Sequence, residues 1–325
     1  ETSVDNIHHI VDPDAKSTPR KYFYKADLKN GECIHISYGK LDLNIFEKNY
    51  AKNEKLALIT CKPIFFNNLE NFAIFGQEFF SGRPLDFAFK EKQINDEQLT
   101  KLLETVKEKL SNLEIQSTEK AVFEEFNKFK KKVFENPYLS RTDISFIKEL
   151  IFPYMDGIVT EIDPIKRRTN GDLAARNILV NDNFEYRIID WEFSTLTHFF
   201  KEDWVRLYHF SDSEFRKVDF VKNEYTKISP FIILYFYLKQ LTLYHTFIDK
   251  NEYLKNAKYD IYNCFHVICK VQPSKLLCSI FLEGVSSQIR GFEHDKKNIS
   301  NDLSESQNLI DELHEDLDNS KNLLV

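Results

Sequence analysis

The segment TNGDLAARNILVNDNFEYRIIDWEFS, residues 169–194, constrains the fold more than any other part of the chain. It holds two short β-type runs, NILV and YRIID, joined by the polar turn NDNFE, and helical patterns lie on both sides of it. Asp172 and Asn177 stand five residues apart, and Asp190 closes the second run thirteen residues after Asn177. In an antiparallel pair the start of the first strand and the end of the second lie at the same end. The loop before NILV and the aspartate after YRII are therefore expected to face one cleft, with three oxygen-bearing side chains in it.

Upstream, residues 20–40 predict a hairpin: PRKYFYKADL and ECIHISYGK are strand-like and Lys-Asn-Gly lies between them. NIHHIV predicts a further strand, and FEKNYAKNEKLALI has helical spacing. KPIFF and FAIFGQEFF predict two more strands, the second closed by a Ser-Gly-Arg-Pro turn. The first 85 or so residues thus describe a small antiparallel sheet with one helix. From about Asn95 the chain turns helical. Leu99, Leu102, Leu103, Val106 and Leu110 recur every three or four residues, and further helices are expected over 119–135, over 142–152 and after Trp204. With 42% hydrophobic and 14% aromatic residues, 325 residues suffice for a sizeable two-lobed core.

The tail differs in kind. Heptads counted from Ile289 place Ile289, Phe292, Lys296, Ile299, Leu303, Ser306, Ile310, Leu313, Leu317, Ser320 and Leu324 at the a and d positions. Eight of the eleven are apolar between polar flanks, which predicts a coiled coil over 289–325 and self-association as a dimer or trimer.

Composition excludes some classes. A net charge of −7, from 44 basic and 51 acidic residues, offers no basic surplus for nucleic acid. Five cysteines, an odd number without a C-x-x-C pair, suit a reduced cytoplasmic protein with buried thiols. No apolar run reaches the ~18 residues of a membrane span, so no transmembrane segment is expected, which leaves peripheral association at the inner membrane face. The histidines show no metal-ligand spacing. A start on Glu and an end on Leu-Leu-Val suggest a piece of a longer protein.

Three oxygen side chains in this order suit phosphoryl transfer from a nucleotide, which needs an in-line hydroxyl and a metal to neutralise the phosphates. Asp172 would accept the hydroxyl proton, and Asn177 and Asp190 would bind Mg²⁺, which prefers hard oxygen ligands.

NGDLAARNILV followed by IIDWE resembles the catalytic loop and metal-binding segment of the aminoglycoside phosphotransferase and choline kinase-like family, with Asn170 where that family has a histidine. FGQEFFSGRPL resembles the family's hinge, which implies Glu78, Phe79 and Phe80 beside the adenine of ATP. Glu54 looks like the helix glutamate that pairs with a strand lysine; Lys40 is the candidate for that lysine and Lys25 the alternative. Asp203 sits where the family has an aspartate that holds the catalytic loop. The similarity spans roughly residues 20–210. DLAARN is also similar to the loop of protein tyrosine kinases, which implies a substrate-seating role for Arg176; but Asp-Trp-Glu replaces Asp-Phe-Gly and Ala-Pro-Glu is missing. No Gly-x-Gly-x-x-Gly loop is present, and DPDAKST (12–18) is the candidate to cover the phosphates.

The expected fold is α+β and two-lobed, of the protein kinase-like type. A β-rich N-lobe would cover 1–77, a helical C-lobe 78–288 and the coiled coil 289–325. The resemblance implies an ATP- and Mg²⁺-dependent kinase. By architecture alone, a kinase followed by a coiled coil resembles the bacterial kinases that terminate O-antigen chains, which implies a sugar or glycan hydroxyl as acceptor. A kinase of a free small molecule (choline, an amino sugar, an aminoglycoside) and a non-catalytic scaffold are the alternatives.

Overall fold

A computed structural model describes residues 4–10, 21–29, 32–39, 59–69, 72–112, 114–244 and 250–271. Lys40, Glu54, the 12–18 loop and the 289–325 heptads lie outside these residues. The chain divides into two compact units, Glu1–Lys131 with Ile158–Phe236, and Lys132–Gly157 with Tyr237–Val325.

The first unit opens with an antiparallel sheet of β1 (Val4–Ile10), β2 (Lys21–Leu28), β3 (Cys33–Gly39), β4 (Pro63–Leu69) and β5 (Phe72–Glu78), in the order β1-β2-β3-β5-β4. The expected hairpin pairs Asp27 with Cys33, closed by Leu28 N–H on the Glu32 carbonyl at 2.8 Å. Ala26, Leu28 and Ile34 alternate onto the buried face, and Ile36 packs against them. The Ser-Gly-Arg-Pro stretch differs from expectation. Arg83–Pro84 form a short strand, β6, which pairs with a strand a hundred residues further on.

α1 (Leu85–Lys90) and α2 (Asp96–Ser111) follow. Asn95 caps α2, accepting from Gln98 N–H at 2.9 Å while the Gln98 side chain accepts from Asn95 N–H at 3.0 Å. All five predicted apolar positions of α2 are buried. β7 (Glu114–Gln116) then leads into α3 (Glu119–Phe134).

Two small sheets frame residues 169–194. β8 (Ile165–Arg168) precedes the Asp172 loop and pairs with β7 on one side and β11 (Leu196–Thr197) on the other. β9 (Ile178–Val180) and β10 (Tyr186–Ile188) form the predicted pair, with β6 on the outer edge of β9. Arg83 and Pro84 are thereby paired with the strand that leaves the Asp172 loop. Helices α4 (Glu202–His209), α5 (Ser213–Lys217) and α6 (Asp219–Thr226) complete this unit, with the first half of α7 (Pro230–Tyr244). Phe126, Phe199 and Phe231 are fully buried and meet ring to ring at 5.0–5.2 Å. Each such side chain contributes about 1.5–3 kcal/mol by leaving water.

In the second unit α8 (Arg141–Phe146) is capped by a Ser140–Asp143 box and continues through a π turn, Ile147–Ile151, into α9 (Phe152–Ile158). The Asn136 amide donates to the Leu241 carbonyl at 2.5 Å. α10 (Lys250–Val271) buries Cys264 and Phe265, and Phe265 packs on Phe146. No helix among the described residues is long and apolar enough to cross a membrane.

Candidate active site

The loop after β8 is held from three directions. Asp203, 3% exposed on α4, accepts from the N–H groups of Asn170 at 2.8 Å and Gly171 at 3.0 Å. Gly171 has a φ of +81°, and a Cβ there would lie 2.2 Å from the Phe193 carbonyl oxygen. Only glycine suits both the left-handed backbone and that contact. Asn170 is buried, and its amide donates to the carbonyls of Ile189 at 3.1 Å and Asp190 at 3.3 Å. Its amide oxygen accepts from Asp172 N–H at 3.2 Å. Asn170 thus braces the loop from the position where the resembled family has a histidine, because an amide offers both donors and an acceptor. Asn170→Ala removes all three bonds. It is expected to lower turnover by about 10–100-fold by misplacing Asp172, with a smaller loss in Asn170→His; steady-state kinetics of both variants checks this.

The Asp172 carboxylate sits between two donors. Arg206 Nη1 lies 2.8 Å from Oδ1, and Asn177 Nδ2 lies 3.1 Å from Oδ2. Asn177 also donates to the Asp172 carbonyl at 2.7 Å, and its own carbonyl accepts from Ile189 N–H at 2.9 Å. Those bonds use the amide nitrogen and the backbone and turn the Asn177 side-chain oxygen to other use. Each Asp172 oxygen keeps a lone pair for an incoming hydroxyl. Arg206 is only 8% exposed, and its guanidinium lies 5.2 Å and 5.5 Å from the rings of Phe210 and Phe236. Asp203 and Arg206 are three residues apart on α4, so one helical face grips both the loop backbone and the Asp172 carboxylate.

Asp190 is exposed and has φ 59° and ψ 56°, left-handed for a residue that is not glycine. Its neighbour Trp191 is 1% exposed and donates from Nε1 to the Ile188 carbonyl at 2.7 Å, which pins the turn. Such a conformation costs of order 1–3 kcal/mol and gathers at functional sites. The Asn177 oxygen and the Asp190 carboxylate fit Mg²⁺, which takes one or two protein ligands and keeps its waters. Among the described residues no cluster of three His, Cys, Asp or Glu competes for a metal.

The remaining candidates are placed as follows. Glu78 closes β5, and its Oε2 accepts from Lys62 N–H at 3.3 Å. Phe79 N–H donates to the Cys33 carbonyl at 3.3 Å, and Phe80 lies 5.1 Å beneath the Arg187 guanidinium of β10. The hinge is therefore tied to both the first sheet and the β9–β10 pair. Lys25 lies on β2, 3.2 Å from Asp27, and its Nζ is 5.1 Å from the Phe79 ring; Asp27 raises its pKa. Arg176 is exposed within the short helical turn Ala175–Asn177. The guanidinium on Asp172 is that of Arg206, a residue the sequence reading did not single out.

No protein-family model and no curated protein matches the sequence. Solved structures do match the fold. The apo form of a thermostable mutant of aminoglycoside phosphotransferase APH(4)-Ia superposes with a TM-score of 0.57 and 9% identity, over 84% of this chain and 97% of that one. A putative fructosamine-3-kinase from Thermobifida fusca YX-ER1 gives 0.56 and 14%, over 82% and 95%. Choline kinase LicA from Streptococcus pneumoniae gives 0.51 and 14%, over 80% and 93%. A mutant of the first has been solved with ADP and hygromycin B, and LicA with AMP. At such identities the likeness is one of fold: a protein kinase-like architecture with a small antiparallel sheet and a helical lobe.

Proposed function

We propose that the chain is an ATP- and Mg²⁺-dependent phosphotransferase acting on a hydroxyl group. The observation that carries this is the Asp172 carboxylate held between Arg206 and Asn177 on a loop fixed by Asp203, with Asp190 pinned beside it in a left-handed turn. Asp172 orients the acceptor hydroxyl and takes its proton as the oxygen attacks the γ-phosphorus and the bond to the β-phosphate oxygen breaks. Asn177 and Asp190 would hold Mg²⁺, which supplies charge neutralisation at the phosphates. Arg206 keeps the base in one orientation, and Asn170 ties the base's loop to the metal segment. The ADP and AMP complexes of the fold neighbours support a nucleotide as donor.

For the acceptor we favour a sugar or glycan hydroxyl. The charge beside Asp172 is the Arg206 guanidinium, and exposed Arg176 lies four residues along the loop. Both disfavour a cationic acceptor such as choline or an aminoglycoside, which needs carboxylates or aromatic faces around it. The test is ATP turnover with a panel of neutral and anionic glycans, aminoglycosides and choline. A glycan should accelerate ADP release, whereas stimulation by cationic acceptors alone would reject the glycan. In the same assay Asp190→Asn should raise the Mg²⁺ needed for half-maximal rate by about tenfold or more. An unchanged Mg²⁺ dependence would remove Asp190 from the metal site.

A further inference from the structure

Ser117, His198 and Glu125 form a second group of reactive side chains, away from the Asp172 loop. Ser117 follows β7 directly, and His198 follows β11. Both strands run antiparallel to β8 from opposite sides; β7 ends with Gln116 beside Ile165, the first residue of β8, and β11 pairs with its last two, Arg167 and Arg168. Asp172 follows the other end of β8, a strand of four residues. Ser117, whose N–H donates to the Pro164 carbonyl at 2.9 Å, therefore stands at the opposite end of a strand spanning about 13 Å.

The His198 side chain has no exposure. Its Nδ1 lies 2.6 Å from Glu125 Oε2, and its Nε2 lies 3.0 Å from Ser117 Oγ. Glu125 is held on α3 with the Thr197 hydroxyl on its Oε1 and Lys166 Nζ at 4.0 Å. An ionised carboxylate only accepts, so Nδ1 carries a proton; in the neutral imidazole Nε2 is then the acceptor for the Ser117 O–H. A hydroxyl on a buried histidine that a partly buried carboxylate orients is the arrangement that activates a serine. Ser117 is partly exposed, and α3 starts two residues after it. In its first turn the N–H groups of Ala121 and Val122 donate to Thr118, and those of Glu119 and Lys120 have no acceptor within the helix.

We propose that Ser117 is a nucleophile, activated by His198 and Glu125, that takes an acyl group from an activated ester. The Ser117 oxygen bonds to the carbonyl carbon while its proton passes to His198 Nε2. The ester C–O bond breaks, and the leaving alcohol departs with that proton. Water then repeats the sequence, releases the carboxylic acid and restores Ser117. None of this uses the nucleotide site, so it stands or falls apart from the kinase reading.

The experiment treats the full chain with p-nitrophenyl acetate and, separately, with a fluorophosphonate, and maps adducts by peptide mass. The expected result is one dominant adduct, on Ser117, absent from heat-unfolded protein. His198→Gln should slow its formation by about 10²-fold or more, and Glu125→Gln should slow it less. Ser117→Ala should abolish it and leave ATP turnover unchanged. If folded protein shows no more Ser117 adduct than unfolded protein, the three side chains merely brace β11 against α3 and the proposal fails; this comparison needs no variant. An adduct that forms equally fast in folded His198→Gln overturns it as well.

Discussion

Asp172→Asn is expected to lower acceptor phosphorylation by about 10²–10⁴-fold, the usual contribution of a positioned general base, while nucleotide affinity stays as in the wild type. The substitution is informative because it nearly preserves shape. The asparagine oxygen can still accept from Arg206, and Asn177 keeps its bond to the residue-172 carbonyl. What disappears is the group that receives the proton. Asp172→Ala should lose as much turnover but also stability, because it leaves the almost buried Arg206 guanidinium without its carboxylate. Removing one partner of a buried ion pair costs about 3–5 kcal/mol. Nucleotide binding by calorimetry, phosphate transfer under saturating ATP, and thermal melting separate the two variants. Asn should be inactive and melt between Ala and the wild type, and Ala should be inactive and melt earliest. Turnover within about tenfold of wild type in Asp172→Asn would mean that the base is elsewhere or is not needed.

Much of this site is legible in the sequence for a simple reason. A short antiparallel pair has its open end fixed by its two strands, so Asp172, Asn177 and Asp190 had to converge once NILV and YRI paired. Asp203 came only from resemblance, since a helix aspartate has no spacing that marks it. Arg206 was missed, although the signal was present. If Asp203 grips the loop, the residue three positions on shares its face and meets the loop too. Asn170 looked like a departure from the family's histidine. Its ability to brace rests on what it can reach, the carbonyls of Ile189 and Asp190, and those lie about twenty residues away in sequence.

The short strands β6, β7 and β11 were invisible for a different reason. Two or three residues carry no periodicity, and their pairing is decided by partners about 30 to 100 residues away. The same holds for the Ser117–His198–Glu125 group, whose members come from a strand end, a helix and another strand end. The helix α2, by contrast, was set by local rules alone: an Asn-x-x-Gln box and five apolar residues at helical spacing.

Asp203→Ala should be the most damaging substitution that touches none of the reacting atoms. The carboxylate satisfies two backbone N–H groups, those of Asn170 and Gly171, in a place from which water is excluded. Each buried donor left without an acceptor costs about 1–3 kcal/mol, so the pair costs roughly 2–6 kcal/mol. The loop cannot relax cheaply. Gly171 is already left-handed and packed against the Phe193 carbonyl, and Asn170 is fastened to the carbonyls of Ile189 and Asp190. Relief would therefore come by moving Asp172, and a shift of about 1 Å can cost a hundredfold in rate. Asp203→Asn keeps one acceptor oxygen and should lie between wild type and Ala in both melting temperature and turnover. Asp203→Glu has the charge but one methylene too many, and should recover less than Asn if geometry rather than charge is what the loop needs. Recovery by Glu and not by Asn would assign the role to charge, through Arg206 on the same helical face. A wild-type melting temperature and rate in Asp203→Ala would show that the loop holds its shape without the aspartate.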